Sequence, residues 1–185
     1  MVKLIGITGG IGSGKSFYAR KMAEKGFPVY DSDREAKRIV EEDAGVRARI
    51  VELLGEEAYQ DGHYQPKYVV SKVFAPETGP ALLQRLNAIV HPAVREDLKR
   101  WVAEHQEAEK LYVESALLFE SGIDALCDQV ICVTAPEEVC IARVMARDGV
   151  SEAAVRTRMA TQMREEERRR RSDIIIDNGQ LTMDN

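Results

Sequence analysis

The run VKLIGI at 2–7 is apolar, contains β-branched residues and stops at a glycine cluster, the pattern of a short strand buried on both faces. Helical spacing follows at 17–25 and ends at Gly26, FPVY at 27–30 reads as a second strand, and DSDREAKRIVEED at 31–43 as a second helix. In that helix Ser32 with Glu35 three residues later fits a capping box, which makes Ser32 the N-cap and Asp33 the first helical residue. From 45 to 106 the spacing is helical: VRARIVELLG, a turn at Asp61-Gly62, PKYVVSKVF, and a long amphipathic run from Pro80 toward His105. This block has no convincing strand and reads as an all-helical insertion. Strand patterns return at 110–115, 128–134 and 173–178, with helices between them and 151–171 as one charged helix. Strands alternating with helices predict an α/β fold, a parallel sheet flanked by helices.

Composition narrows the function. The chain has 185 residues, 44% of them hydrophobic, enough for the core of one domain. With 26 basic against 31 acidic residues it lacks the overall positive field of a non-specific nucleic-acid binder, so no nucleic-acid partner is expected. No window approaches 18 apolar residues and the amino terminus has no export pattern, which predicts no membrane association and a cytoplasmic location. Cys127, Cys132 and Cys140 lack CxxC spacing and His63, His91 and His105 are far apart, so reduced thiols and no zinc site are expected.

One stretch carries chemistry. TGGIGSGKS at 8–16 satisfies G-x-x-x-x-G-K-[ST] without a mismatch, between a predicted strand and a predicted helix. Glycines let the backbone turn through positive φ and gather N–H groups around phosphate oxygens at the positive end of a helix. Gly9, Gly10, Ile11, Gly12, Ser13, Gly14, Lys15, Ser16 and the following Phe17 are thus the expected ATP-binding residues, with Lys15 on the β- and γ-phosphates and the Ser16 hydroxyl on Mg²⁺. A dinucleotide site has no use for Lys15-Ser16. A guanine-reading NKxD segment is absent, and a P-loop chain this small, with a helical insertion and an Arg-rich late segment, reads as a kinase for a small acceptor.

Other candidates keep two readings. Arg143 and Arg147, at i and i+4, suit either a phosphate clamp or a solvated helix face. Asp33 suits either an acceptor-side carboxylate kept ionised by the helix dipole or a helix-start residue. Glu114, at a strand end, suits a holder of Mg²⁺ or a surface acid. REEERRRR at 164–171 places acids one turn before bases, a salt-laced surface.

Together TGGIGSGKS, DSD at 31–33, IVHP at 89–92, LLFESG at 117–122, ARVMARDGVSE at 142–152, ATQM at 160–163 and IDN at 176–178 resemble the dephospho-coenzyme A kinase family in order and spacing. The resemblance implies a P-loop kinase core at about 1–42 and 107–185, a helical substrate insertion at about 43–106, and a helical lid at about 116–125 and 137–171. It implies transfer of the ATP γ-phosphoryl group to the ribose 3′-hydroxyl of dephospho-CoA, by a monomer or weak homo-oligomer. It assigns Lys15, Asp33 and Arg143 to catalysis, and His91, Leu117, Leu118, Phe119 and Glu120 to the acceptor beside Asp33. Arg147 and Asn178 fall to the nucleotide, Asn178 near the adenine. Phe17 and Ala116 depart from the family pattern, which has a small hydroxyl residue and a proline there, and Cys140 replaces a frequent glutamine.

Overall fold

The apolar run at the start forms β1 (Lys3–Thr8), buried from Leu4 onward. The structure, a computed structural model, describes residues 2–179. Next come α1 (Lys15–Glu24), β2 (Val29–Asp31), α2 (Ser32–Glu42), α3 (Ala44–Leu54), β3 (Tyr59–Gln60), β4 (His63–Tyr64), α4 (Pro66–Val73) and α5 (Gly79–Glu104). The chain continues through β5 (Lys110–Glu114), β6 (Gln129–Thr134), α6 (Glu137–Asp148), α7 (Glu152–Ala160), α8 (Glu165–Arg170) and β7 (Ile174–Asp177).

Five strands make one sheet in the order β2-β5-β1-β6-β7, and every neighbouring pair is parallel. The α/β expectation is therefore met. Parallel pairing requires crossovers, and covered faces explain the near-continuous apolar strands. Ile5, Ile7, Tyr112, Ile131 and Val133 pack with Ala19 and Met22 of α1. Burying a side chain such as Ile7, with no exposed surface, stabilises by about 1.5–3 kcal/mol. The central strand β1 lies between β5 and β6, so the loop after it opens where the strand order reverses, the usual ligand position in such sheets.

Contacts divide the chain into a sheet unit, Met1–Asp31 with Trp101–Asn185, and a helical unit, Ser32–Arg100. The helical unit begins earlier than the expected 43 because α2 is tied to later segments of the same unit. The Tyr59 hydroxyl donates to the Val40 carbonyl at 2.6 Å, the Tyr64 N–H to Glu41 at 2.9 Å, and Arg38 pairs with Asp97 at 2.9 Å.

Three local expectations are corrected and one is met. The insertion is not all helical: β3 and β4 form an antiparallel hairpin around Asp61-Gly62, whose φ angles of 51° and 88° are those of a type I′ turn. The long helical run read from Pro80 toward His105 is met by α5, which continues through Pro92 because Leu86, Ile89, Val94 and Leu98 bury one face on both sides of it and outweigh one lost hydrogen bond. The charged helix read at 151–171 is two helices, α7 and α8, interrupted at 161–164. Ser32 is itself helical, and Glu35 turns to Arg34 and Arg38 instead of closing a capping box.

Candidate functional site

The loop between β1 and α1 is shaped by two glycines with positive φ, Gly12 at 78° and Gly14 at 93°. Both lie where side chains have no room: a Cβ on Gly12 would stand 2.3 Å from the Cys140 carbonyl oxygen, and one on Gly14 would stand 1.9 Å from the Asn178 side-chain nitrogen. The Ser13 N–H donates to the Gly10 carbonyl at 3.1 Å, so the loop closes on itself before α1 begins at Lys15. The free N–H groups of the first turn of α1 then face the loop mouth, with the positive helix end behind them.

Lys15 and Ser16 converge on one carboxylate oxygen. The Ser16 hydroxyl donates to Glu114 Oε1 at 2.7 Å, and Lys15 Nζ lies 3.5 Å from the same atom. Glu114 is nearly buried at the end of β5, and its register partner on β2 is Asp31. Among the described residues no group of three or more His, Cys, Asp or Glu could cage a metal. Mg²⁺ binds through one or two protein oxygens and takes the rest from phosphate and water. A hydroxyl and a carboxylate already in contact are a fitting donor pair. The surface-acid reading of Glu114 is set aside by its burial.

Arg143 of α6 reaches back to the loop. Its Nη2 donates to the Asn178 carbonyl at 2.8 Å, and Nη1 approaches the Gly12 and Ser13 carbonyls at 3.4 and 3.5 Å. Asn178 follows β7, is 5% exposed, and donates its side-chain N–H to the Ser13 carbonyl at 2.9 Å. The structure thus gives Asn178 a bracing contact on the loop, where the family resemblance implied a residue near the adenine. Among the described residues Thr8 Oγ1, Ser13 Oγ and Asn178 Oδ1 are buried without a hydrogen-bond partner. Orphaned polar atoms around a glycine loop are what a polar ligand satisfies.

The other expected residues divide. Arg147 is exposed and forks onto Asp148 at 2.7 and 3.1 Å, whereas Arg143 contacts the loop. Its guanidinium, held by that carboxylate, titrates above the usual arginine range. Phe17 carries Lys21 over its ring at 5.3 Å. In the turn after β5, Leu118 and Phe119 are buried, whereas Leu117 and Glu120 are exposed. Asp33 is exposed in the first turn of α2, two residues beyond the end of β2, and His91 is half-buried within α5.

Two residues outside the motif also touch the loop. The Ile11 N–H donates to Gln162 Oε1 at 2.9 Å, and Arg168 Nη1 would lie 3.4 Å from a Cβ on Gly10. No spacing rule signals either one; Gln162 stands only within the ATQM segment. All three cysteines are free, Cys132 and Cys140 are buried, and burial pushes the Cys127 thiol up to about 12. Among the described residues no helix is long and apolar enough to cross a membrane.

The sequence profile of the family described as dephospho-CoA kinase matches residues 3–184. The chain is 44% identical over 179 residues to a dephospho-CoA kinase of Salinibacter ruber, covering 94% of this chain and 87% of that one. It is 43% identical over 162 residues to one of Porphyromonas gingivalis, covering 88% and 78%. Among solved structures, a Thermus thermophilus protein has a TM-score of 0.82 at 37% identity, covering 96% of this chain and 88% of that one. A shikimate kinase from Acinetobacter baumannii, at TM-score 0.53 and 16% identity over 98% and 86%, shares the fold alone.

Proposed function

This chain belongs to the dephospho-CoA kinase family, and from that premise we propose that it transfers the γ-phosphoryl group of ATP to the ribose 3′-hydroxyl of dephospho-CoA, giving CoA and ADP, the last step of CoA synthesis. The observation that carries the reading is the convergence of Lys15 and Ser16 on Glu114 beneath the Gly9–Ser16 loop.

In phosphoryl transfer the bond from the acceptor oxygen to the γ-phosphorus forms as the bond to the β–γ bridging oxygen breaks, and charge spreads over the phosphoryl oxygens. The loop amides and Lys15 are placed to receive that charge, exchanging the Glu114 contact for phosphate. Ser16 and Glu114 would hold Mg²⁺, which supplies further charge neutralisation when bound. Asp33 aligns the 3′-hydroxyl and accepts its proton as the new bond forms; alignment is the larger part, because a loose transition state asks little of a base. Arg143 fixes the loop carbonyls and so the direction of its amides. His91, Leu117 and Glu120 are proposed to contact the acceptor, and the helices at 137–171 to shield the phosphoryl group from water. A cytoplasmic protein, monomeric or weakly self-associating, fits these roles.

The test is ADP release from purified protein with ATP and Mg²⁺, comparing dephospho-CoA with adenosine, AMP and shikimate as acceptors. ADP released only with dephospho-CoA supports the proposal. Equal release with a control acceptor, or ADP without CoA, sinks it.

A further inference from the structure

The break at 161–164 sits beside the phosphate loop. Thr161 and Gln162 end the turn after α7, and Gln162 sends its side-chain oxygen 2.9 Å to the Ile11 amide, 151 residues away in sequence. The Ile11 side chain packs against the cluster of Ile141, Val144 and Val155 on α6 and α7. Both ends of this residue are thus held by the same helical layer. Beside these contacts the loop is not packed solid: a cavity of about 390 Å³ lies between Gly10, Ile11 and Ser13 on one side and Gln162 and Arg168 on the other. Where side chains do not fill the space, a single hydrogen bond has a large share in setting the direction of the main chain.

Arg168 holds the linker in place. Its Nη2 donates to the Met163 carbonyl at 2.6 Å, one residue beyond Gln162. Its neighbours Arg169, Arg170 and Arg171 pair with Glu165, Glu167 and Asp124 at 3.3, 2.6 and 3.0 Å. Arg168 differs from them. It is 4% exposed, and among the described residues no carboxylate lies within ion-pair distance of it. Of the acids lining the same cavity, Glu137 pairs with Arg156 and Glu165 with Arg169. A buried guanidinium without a counter-charge is costly unless an anion nearby uses its field. The residue beside it is Gly10 of the loop.

We propose that Gln162 and Arg168 form a brace for the phosphate loop: Gln162 positions the Ile11 amide, and Arg168 positions the linker that carries Gln162 and adds an unneutralised positive charge behind Gly10. Both are positioning residues, and neither belongs to the glycine motif. The inference rests on the nucleotide-binding half of the proposed function and is independent of the acceptor.

The experiment is calorimetric titration of ATP and ADP, without acceptor, into the full chain and its Gln162→Leu, Gln162→Ala, Gln162→Glu, Arg168→Met and Arg168→Lys variants, with melting temperature measured on each. Gln162→Leu and Gln162→Ala remove the acceptor oxygen and should weaken ATP by roughly tenfold, the size of one hydrogen bond. Gln162→Glu keeps an acceptor for Ile11 and should recover most of that affinity. Arg168→Met should weaken ATP and ADP further than Arg168→Lys, because lysine keeps the charge. In steady state the losses should fall on the KM for ATP, with the KM for dephospho-CoA within about twofold. Wild-type affinity in both Gln162→Leu and Gln162→Ala overturns the proposal, as does a loss in all variants that merely follows a lowered melting temperature. If wild type binds ATP and the variants lose it while no CoA forms, the acceptor assignment fails and the brace stands.

Discussion

The phosphate loop and the helical unit present their chemistry by different means. Around Gly9–Ser16 the groups offered to a ligand are main-chain amides, aimed by positive φ at Gly12 and Gly14 and by contacts from Arg143 and Asn178. In Ser32–Arg100 the groups proposed to act are side chains on helices, in a unit held by ties such as Tyr59 to Val40 and Arg38 to both Glu35 and Asp97. A main-chain site demands glycines at set positions and so writes itself into the sequence as a motif. A side-chain site demands only that a helix present the right group, and many sequences do that. The two regions should therefore fail differently when changed.

The largest effect is expected at Asp33. Asp33→Asn should lower kcat by about 10²- to 10⁴-fold while ATP affinity stays within about twofold, read by single turnover and calorimetry. Full turnover in this variant would remove Asp33 from the acceptor side. Lys15→Ala should cost about 10²- to 10³-fold in kcat/KM and weaken ATP as well, since the charge acts on bound and transferring phosphate alike. An unchanged ATP affinity there would contradict the role given to the loop.

Smaller effects probe the scaffold. The Tyr59 hydroxyl serves the Val40 carbonyl in the last turn of α2, a group without an intrahelical partner. Tyr59→Phe should lower stability by about 1–2 kcal/mol in urea denaturation and leave ATP affinity unchanged. Of similar size is a pH effect at Cys127. Burial, with Asp124 and Asp128 near, raises its thiol to about 12 from an ordinary value of 9.0. The unfolded chain releases that proton first, so the contribution is fully present below about pH 9 and is lost as pH climbs toward 12. Cys127→Ala should show a shallower fall in denaturation midpoint between pH 8 and 10.5; an identical fall would count against it.

How far each region was readable from sequence depends on the same contrast. The strands β1, β5 and β6 were legible because strands buried on both faces are near-continuously apolar, and the Gly9–Ser16 loop because its backbone angles require glycine. The β3–β4 hairpin was not, since two-residue strands are too short to display alternation, although Asp61-Gly62 announced its turn. The helix through Pro92 was legible because its apolar spacing runs on either side of the proline. Arg143 and Arg147 looked equivalent at i and i+4, yet Asp148 beside Arg147 captures one of them. Leu118 and Phe119 were assigned to the acceptor by the family resemblance, and their burial is a matter of tertiary packing that the LLFE spacing does not display. Gln162 and Arg168 meet the loop only through tertiary structure, which no periodicity encodes.

The most direct measurement tracks the phosphoryl group itself. Purified protein is incubated with Mg²⁺, dephospho-CoA and ATP labelled in the γ-phosphate, and the product is analysed by mass and by phosphorus NMR. The account predicts labelled CoA bearing the new phosphomonoester at the ribose 3′ position, in step with ADP. Label released only as inorganic phosphate, or carried at another position of the product, would contradict it.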